Sequence, residues 1–498
     1  MPTRAQITYA GRELVTEETM DRPNVLLICV DHWGGRLIGK LGHPDVLTPT
    51  LDRFIENGIA FDNAYTTTPS CIPARREIMT GAHSRTHGDR IFDETLPMPD
   101  LPTLAQTFRD AGYQAYSVGK LHVYPQRDRI GFDEAIINEE GRHHLGLSKD
   151  DYEMFLAEQG YPGQELAHGV GNNEHTARPW HLPEYCHQTN WTVREMSKVI
   201  ARRDPTRPAF WHMSFSPPHP PLAPLADYLN IYRDIDVQMP FIGQWASELG
   251  SIPALDLRFP PPGTYSEEGT RLARQAFYAL ITHVDHQMSL VIGLLREQGL
   301  VDNTVVMFTA DHGDMLGNHG LYNKDVFYED SARIPMVLVP HEARSDLGNN
   351  RVDHRLATQA DIFPTLMDLC DIAVPDTVEG LSLVGDQRRE HVYGEHWEDY
   401  RSTRMVRNER YKLVYYAAGN HFQLFDLDED PDELRDLSGE AAHTETRGRL
   451  TDILIDQLYG SDLDWLDGSE LVGLPDGSWP SHRRPDRGMG SQRGLRLL

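Results

Sequence analysis

Apolar and polar positions along the chain switch between two periods, and the predicted elements follow from where they switch. Val25 to Val30 (VLLICV) is a continuous apolar run, the pattern of a strand covered on both faces, and it ends in Asp31-His32-Trp33-Gly34-Gly35. A helix is predicted from Pro49 to about Asn57, with Thr48 as its cap, Pro49 at its first position and Gly58 as its stop. A second begins near Pro102 and stops at Gly112, after which a strand from Gln114 to Val118 ends at Gly119-Lys120. Further strands read at Ala209 to Phe215, Thr304 to Thr309 and Met336 to Val339, and a long helix over about Glu267 to Glu297 stands before the Thr304 strand. Strands alternating with helices predict an α/β fold with a mostly parallel central sheet flanked by helices. Asp31, Lys120, the Ser216-Pro217-Pro218-His219 run and Asp311 each follow a strand. Ligands of open α/β sheets bind beyond the carboxyl ends of the strands, so these residues are expected to gather on one edge.

Two segments depart from this pattern. Between about Asn138 and Thr189 the periodicity weakens and histidines accumulate (His143, His144, His168, His175, His181, His187). Their spacing matches no common metal-ligand set, and an ordered insertion forming a pocket rim is the preferred reading. After about Val392, short β-like runs at Ser402 to Val406, Tyr411 to Tyr416 and Gln423 to Asp426 predict a small C-terminal antiparallel sheet, with a helix. The expected division is an N-terminal extension (1–23), a catalytic α/β domain (24–390) containing the rim insertion (138–189), the C-terminal subdomain (391–465) and a tail (466–498). The arginine-rich end of that tail suits clasping an acidic neighbouring subunit, which would make the protein a homo-oligomer.

Charge narrows the partners. With 47 basic against 75 acidic side chains the formal net charge is -28, which argues against nucleic acid and long polyanions. A small anionic substrate then requires positive groups and a cation concentrated in a pocket. The four cysteines among 498 residues form no disulfide framework and show no metal-like spacing, and Cys29 and Cys370 read as packed thiols. The first residues contain no apolar run of signal-peptide length and no later run approaches a membrane span. The expectation is a reduced, cytoplasmic protein with no membrane partner.

The chemistry concentrates in two stretches. In Thr68-Pro69-Ser70-Cys71-Ile72-Pro73-Ala74-Arg75, Pro73 suits the first turn of a helix whose free N–H groups favour negative charge near Cys71, and Arg75 adds a fixed positive charge. By itself this motif is equally a helix cap with a buried thiol. In Thr309-Ala310-Asp311-His312-Gly313-Asp314, followed by Lys324, the Asp-His pair at a strand end can reach a divalent cation that Asp31 completes. A lone Asp-His pair is more often structural; three Asp/His strand ends in one fold reverse that preference.

Asp31, Cys71-Ile72-Pro73-Ala74-Arg75, Gly119-Lys120-Leu121-His122, Pro218-His219 and Asp311-His312-Gly313-Asp314 through Lys324 resemble the formylglycine-dependent (type I) sulfatase family, in its order and at similar spacing. That family belongs to the alkaline phosphatase-like superfamily, and the resemblance extends to Tyr411-Lys412-Leu413 and Leu424-Phe425-Asp426-Leu427. It implies that a maturation enzyme oxidises Cys71 to formylglycine, whose hydrated form attacks sulfur with one hydroxyl and expels sulfate through the other. It further implies Asp31, Asp311 and His312 as metal ligands, and Lys120, His122, His219 and Lys324 around the sulfate oxygens. His219 or Lys324 would protonate the leaving oxygen, and Arg75 would steady residue 71. Asp314 and His319 are left as supporting or structural residues. The implied activity is hydrolysis of a small aryl, alkyl, choline or sugar sulfate.

One departure concerns His32, where many sulfatases carry a second aspartate. His32 either joins the metal ligands or points away. With His312 also present, manganese or zinc competes with calcium as the expected ion. The Asp-His strand end also resembles phosphonate monoester and phosphodiester hydrolases of the same superfamily, which use the same nucleophile; Lys120-x-His122 weighs toward sulfate. A non-catalytic anion-binding protein with an unmodified Cys71 is the alternative of another class.

Overall fold

The computed structural model describes residues 22–141, 149–247, 252–256 and 265–475. Its central sheet has eight strands, β1 (Asn24–Val30), β2 (Ile59–Tyr65), β3 (Gln114–Gly119), β4 (Glu134–Ile137), β5 (Ala209–Phe215), β6 (Thr304–Ala310), β7 (Met336–Val339) and β8 (Arg351–Thr358). The order is β4-β3-β5-β1-β6-β7-β2-β8. The apolar run of β1 is buried at every residue because β1 lies inside the sheet, paired in parallel with β5 on one side and β6 on the other. Only β7 runs against its neighbours β6 and β2.

The long helix spans Glu267–Glu297, started by Ser266, whose Oγ accepts the Gly269 N–H at 3.0 Å. Its buried stripe (Ala273, Phe277, Leu280, Val284, Met288, Val291, Leu295) recurs every three or four residues and faces the main core. The helix near Pro102 is Leu104–Asp110, capped by Thr103, and the helix Pro49–Glu56 begins where the proline directs.

The cap of that last helix is not the expected one. The Thr48 hydroxyl makes no cap bond; it accepts the Gly39 N–H and donates to Asp52, both at 2.9 Å. The helix is capped by Asp285 of the long helix, whose carboxylate accepts the N–H groups of Thr50 and Leu51 at 2.8 Å each. Asp285→Ala leaves two buried donors without an acceptor and is expected to cost about 2–3 kcal/mol in urea denaturation. A cost under about 0.5 kcal/mol, the range of ordinary surface changes, would remove the capping role.

The C-terminal strands β9 (Val392–His396), β10 (Thr403–Arg407), β11 (Tyr411–Tyr416) and β12 (His421–Asp426) form a separate antiparallel sheet. Helix Thr444–Gln457 covers one face, packing Leu450 and Leu454 against Val406, Leu413 and Leu424. At the seam with the main sheet, Lys412 is fully buried, 2.8 Å from Glu329 and 2.6 Å from Glu433. The Tyr65 hydroxyl at the end of β2 also donates to Glu329, at 3.0 Å. Most of the N-terminal extension (1–21), His143 and His144, and the tail from residue 476 lie outside the described residues. Among those described, no helix is long and apolar enough to cross a membrane.

Candidate active site

Register brings the strand-end residues together. Because Val30 pairs with Ala310, the two residues that follow, Asp31 and Asp311, leave adjacent strands side by side. The Asp31 N–H donates to Phe215 O at 3.1 Å and the Asp311 N–H to Val30 O at 3.2 Å, continuing the ladders past the last named strand residues. Lys120 follows β3 through Gly119, which has φ +103; a Cβ there would sit 1.8 Å from Ser214 O. Only glycine lets the chain turn at this point. Cys71 opens helix Cys71–Thr80 after the extended Ser70 and is 1% exposed, within a helix buried at every residue.

Around Cys71 the side chains converge. Its Sγ lies 3.1 Å from His312 Nε2 and 3.7 Å from Asp31 Oδ1. His312 Nδ1 is 2.9 Å from Gly313 O, so the network assigns the proton to Nδ1 and leaves the Nε2 lone pair facing Cys71. Arg75 is held by three acceptors, Asp311 Oδ2 at 2.9 Å, Lys120 O at 2.9 Å and Ser214 Oγ at 2.8 Å. Lys120 Nζ bonds Asp31 and, at 2.6 Å, Glu140. Lys324 Nζ reaches His32 Nε2 at 2.6 Å and His219 Nε2 at 3.2 Å.

The electrostatics follow from burial among opposed charges. Burial raises Asp31, but the charges of Lys120 and Arg75 hold that carboxyl well below its usual range. Asp311 is pushed up to about 7 by burial and by the charge of Asp31. Burial and Lys324 lower His312 and His32 well below the usual range, and burial takes His219 to about 4, so all three are neutral imidazoles. The Cys71 thiol is pushed up to about 12 by burial and then by Asp31, so the unmodified side chain is a neutral thiol near pH 7.

Nine of the ten candidates from the sequence, Asp31, His32, Cys71, Arg75, Lys120, His219, Asp311, His312 and Lys324, are thus linked to one another by short contacts. The tenth, His122, is placed nearby through Lys120, but its N–H donates to Glu139 at 2.8 Å and its ring meets Phe92 edge-on at 5.9 Å. His32 does not point away: its Nδ1 is 2.9 Å from Asp314 and its Nε2 faces the cluster. Glu140, which pairs with Lys120, was missed because it falls in the aperiodic Asn-Glu-Glu-Gly stretch, where no pattern singles it out. His319 is structural, accepting the Gly243 N–H at 3.0 Å beside Trp245.

The donor set suits a divalent cation. Among the described residues, the groups of three or more His, Cys, Asp or Glu whose ligand atoms lie within 4.8 Å of one another are Asp31–His32–Cys71–His219 and Asp31–Cys71–Asp311–His312. The two groups share Asp31 and Cys71; the second joins two carboxylates to the His312 Nε2 lone pair, the chemistry of a mixed N/O metal site, and the first adds His32 and His219 beside it. No comparable group occurs among the described residues of the histidine-rich insertion.

A mostly parallel sheet thus carries this cluster beyond its strand ends. The sulfatase family profile matches residues 23–372, and that of the C-terminal part of N-sulphoglucosamine sulphohydrolase matches 317–459. An arylsulfatase of Clostridium perfringens is 34% identical over 473 residues, covering 91% of this chain and 98% of that protein. A choline-sulfatase of Rhizobium meliloti is 30% identical over 452 residues, covering 84% of this chain and 83% of its own. In three dimensions the phosphonate monoester hydrolase of Agrobacterium radiobacter superposes with a TM-score of 0.76 at 24% identity, covering 87% of this chain and 95% of that one, a likeness of fold. The chain belongs to the sulfatase family and is a sulfuric ester hydrolase.

Proposed function

We propose that the chain hydrolyses a small sulfate monoester, an aryl, alkyl, choline or sugar sulfate, with a formylglycine diol made from Cys71. The observation that carries this reading is the position of Cys71 Sγ, at a buried helix start within 3.1 Å of His312 and 3.7 Å of Asp31, with Arg75, Lys120 and Lys324 bonded into the same cluster. A divalent cation held by Asp31, His32, Asp311 and His312 would lower the pKa of the attacking hydroxyl and draw charge off the sulfate oxygens. With two imidazoles among the ligands, manganese or zinc suits the set better than calcium.

The chain's own residues account for the remaining steps. Arg75, fixed by three acceptors, holds the backbone of Lys120 and the carboxylate of Asp311 in place beside residue 71. Lys120 and Lys324 supply fixed positive charge for the sulfate oxygens as charge builds on them. One hydroxyl of the diol, deprotonated, bonds to sulfur as the sulfur–alcohol oxygen bond breaks, and the departing oxygen takes a proton from Lys324. The second hydroxyl then passes its proton to the neutral imidazole of His219, the carbonyl re-forms as the carbon–oxygen bond to sulfate breaks, and sulfate leaves. Maturation requires a formylglycine-generating or equivalent enzyme.

The same cluster could serve a phosphonate monoester or phosphodiester hydrolase, a reading favoured by the fold likeness to the Agrobacterium enzyme. Two measurements separate the three readings. Tryptic mass spectrometry of the residue-71 peptide, from a host with a modifying system, is expected to show a loss of about 18 units from cysteine. Rates on nitrophenyl sulfate are expected to exceed those on nitrophenyl phenylphosphonate. A large excess on the phosphonate would reassign the substrate, and an unmodified cysteine beside an active maturase would favour the anion-binding reading.

A further inference from the structure

His32 leaves β1 in the left-handed region, at φ +65, a conformation that a non-glycine residue holds only when its surroundings demand it. What fixes its ring is a carboxylate 282 residues away: His32 Nδ1 lies 2.9 Å from Asp314 Oδ2. Asp314 is saturated with donors. It accepts the N–H of Leu316 at 2.9 Å, the N–H of Asn323 at 3.2 Å and, at 3.0 and 2.9 Å from its two oxygens, Nε2 of His175. His175 belongs to the insertion between β4 and β5. Its ring is fully buried, it sits against Tyr322 at 5.1 Å, and its backbone N–H donates to the Tyr265 hydroxyl at 3.1 Å. Its other ring nitrogen, Nδ1, has no hydrogen-bond partner among the described residues. A buried imidazole with one nitrogen unsatisfied is costly, so its bond to Asp314 is the polar contact that accounts for it.

We infer that His175 is a positioning residue for the cation site: with Asp314 it forms a relay, His175–Asp314–His32, that locks the His32 proton on Nδ1 and turns the Nε2 lone pair into the cluster, 3.8 Å from Asp31 Oδ1 and 2.6 Å from Lys324 Nζ. The outward nitrogen of a metal-bound histidine is regularly tied to a carboxylate, which fixes its tautomer and raises its basicity; here that carboxylate is itself held by a second histidine. The relay makes the histidine-rich insertion part of the cation site although its described residues supply no ligand. Anything that shifts the insertion then changes cation affinity. This inference rests on the cation site proposed above.

The test is a calorimetric titration of Mn2+ into the metal-stripped full-length protein. His175→Ala is expected to weaken Mn2+ binding by about 10- to 100-fold, the loss typical of removing such an outer partner. His175→Gln, whose amide nitrogen can donate from nearly the same place as Nε2, is expected to stay within about threefold of the wild type on the same grounds. In a His32→Ala background the His175→Ala change is expected to have no further effect, because the relay has lost its end point. A His175→Ala protein that binds Mn2+ like the wild type would overturn the relay, as would an equal loss with and without His32. Should His175→Ala fail to fold, His175→Gln against the shorter His175→Asn decides: equal affinities overturn the relay, and loss with Asn alone supports it. Wild-type protein that binds no Mn2+, Zn2+ or Ca2+ would overturn the cation site itself, and the relay with it.

Discussion

Cys71→Ala is expected to remove turnover, by about four orders of magnitude or more, while the protein stays folded. Loss of a nucleophile in a preorganised site is of this size, because the remaining groups have nothing to deliver to the reacting atom. The cost to the fold is small: one sulfur atom goes from a buried position at the start of a helix, and the helix keeps its N-cap residue Ser70 and its own ladder. Steady-state rates on nitrophenyl sulfate together with a thermal melt separate the two effects. Turnover that survives the substitution would place the nucleophile elsewhere.

Asp311→Asn is the second large effect. One oxygen of Asp311 accepts from Arg75 Nε at 2.9 Å, and the other from the backbone N–H of His312 at 2.9 Å and of His32 at 3.3 Å. An asparagine must turn its NH2 toward one of these donors, so it loses a bond as well as its charge. Cation affinity and rate are expected to fall together, by about 100-fold or more, beyond the range seen for outer partners. Stability should change little, since removing one of two facing buried carboxylates relieves their repulsion while orphaning part of Arg75. Metal analysis of the purified variant checks the first half; full occupancy would withdraw Asp311 from the ligands.

What the sequence made legible was whatever could be written as a local pattern. β1 is one apolar run, the Glu267–Glu297 helix carries its own cap and stripe, and the strand-end residues stand beside turn glycines and prolines. β2 and β8 escaped notice for physical reasons. β2 is interrupted by Asp62-Asn63, at a register shift against its neighbour, and β8 is the sheet's edge, half exposed and rich in charge. Contacts between distant segments left no local trace at all. Asp285 capping another helix, Glu140 on Lys120 and His175 on Asp314 are pairings at separations of 235, 20 and 139 residues. Each donor or acceptor looked ordinary where it stood. Among the described residues, the histidine-rich insertion reaches the cluster through Glu140 on Lys120 and through one imidazole, His175, on Asp314.

The buried Lys412, clasped between Glu329 and Glu433, has a bearing on how the molecule can be handled. Its ammonium comes from the C-terminal sheet, while Glu329 starts the short helix that follows the Lys324 loop. A shortened chain ending before β9 would leave Glu329 without that cation and would uncover the apolar side on which Phe327 and Met405 now meet. The C-terminal sheet is therefore no detachable module. Grafting the larger lobe alone onto another protein would carry the loop of Lys324 without its anchor.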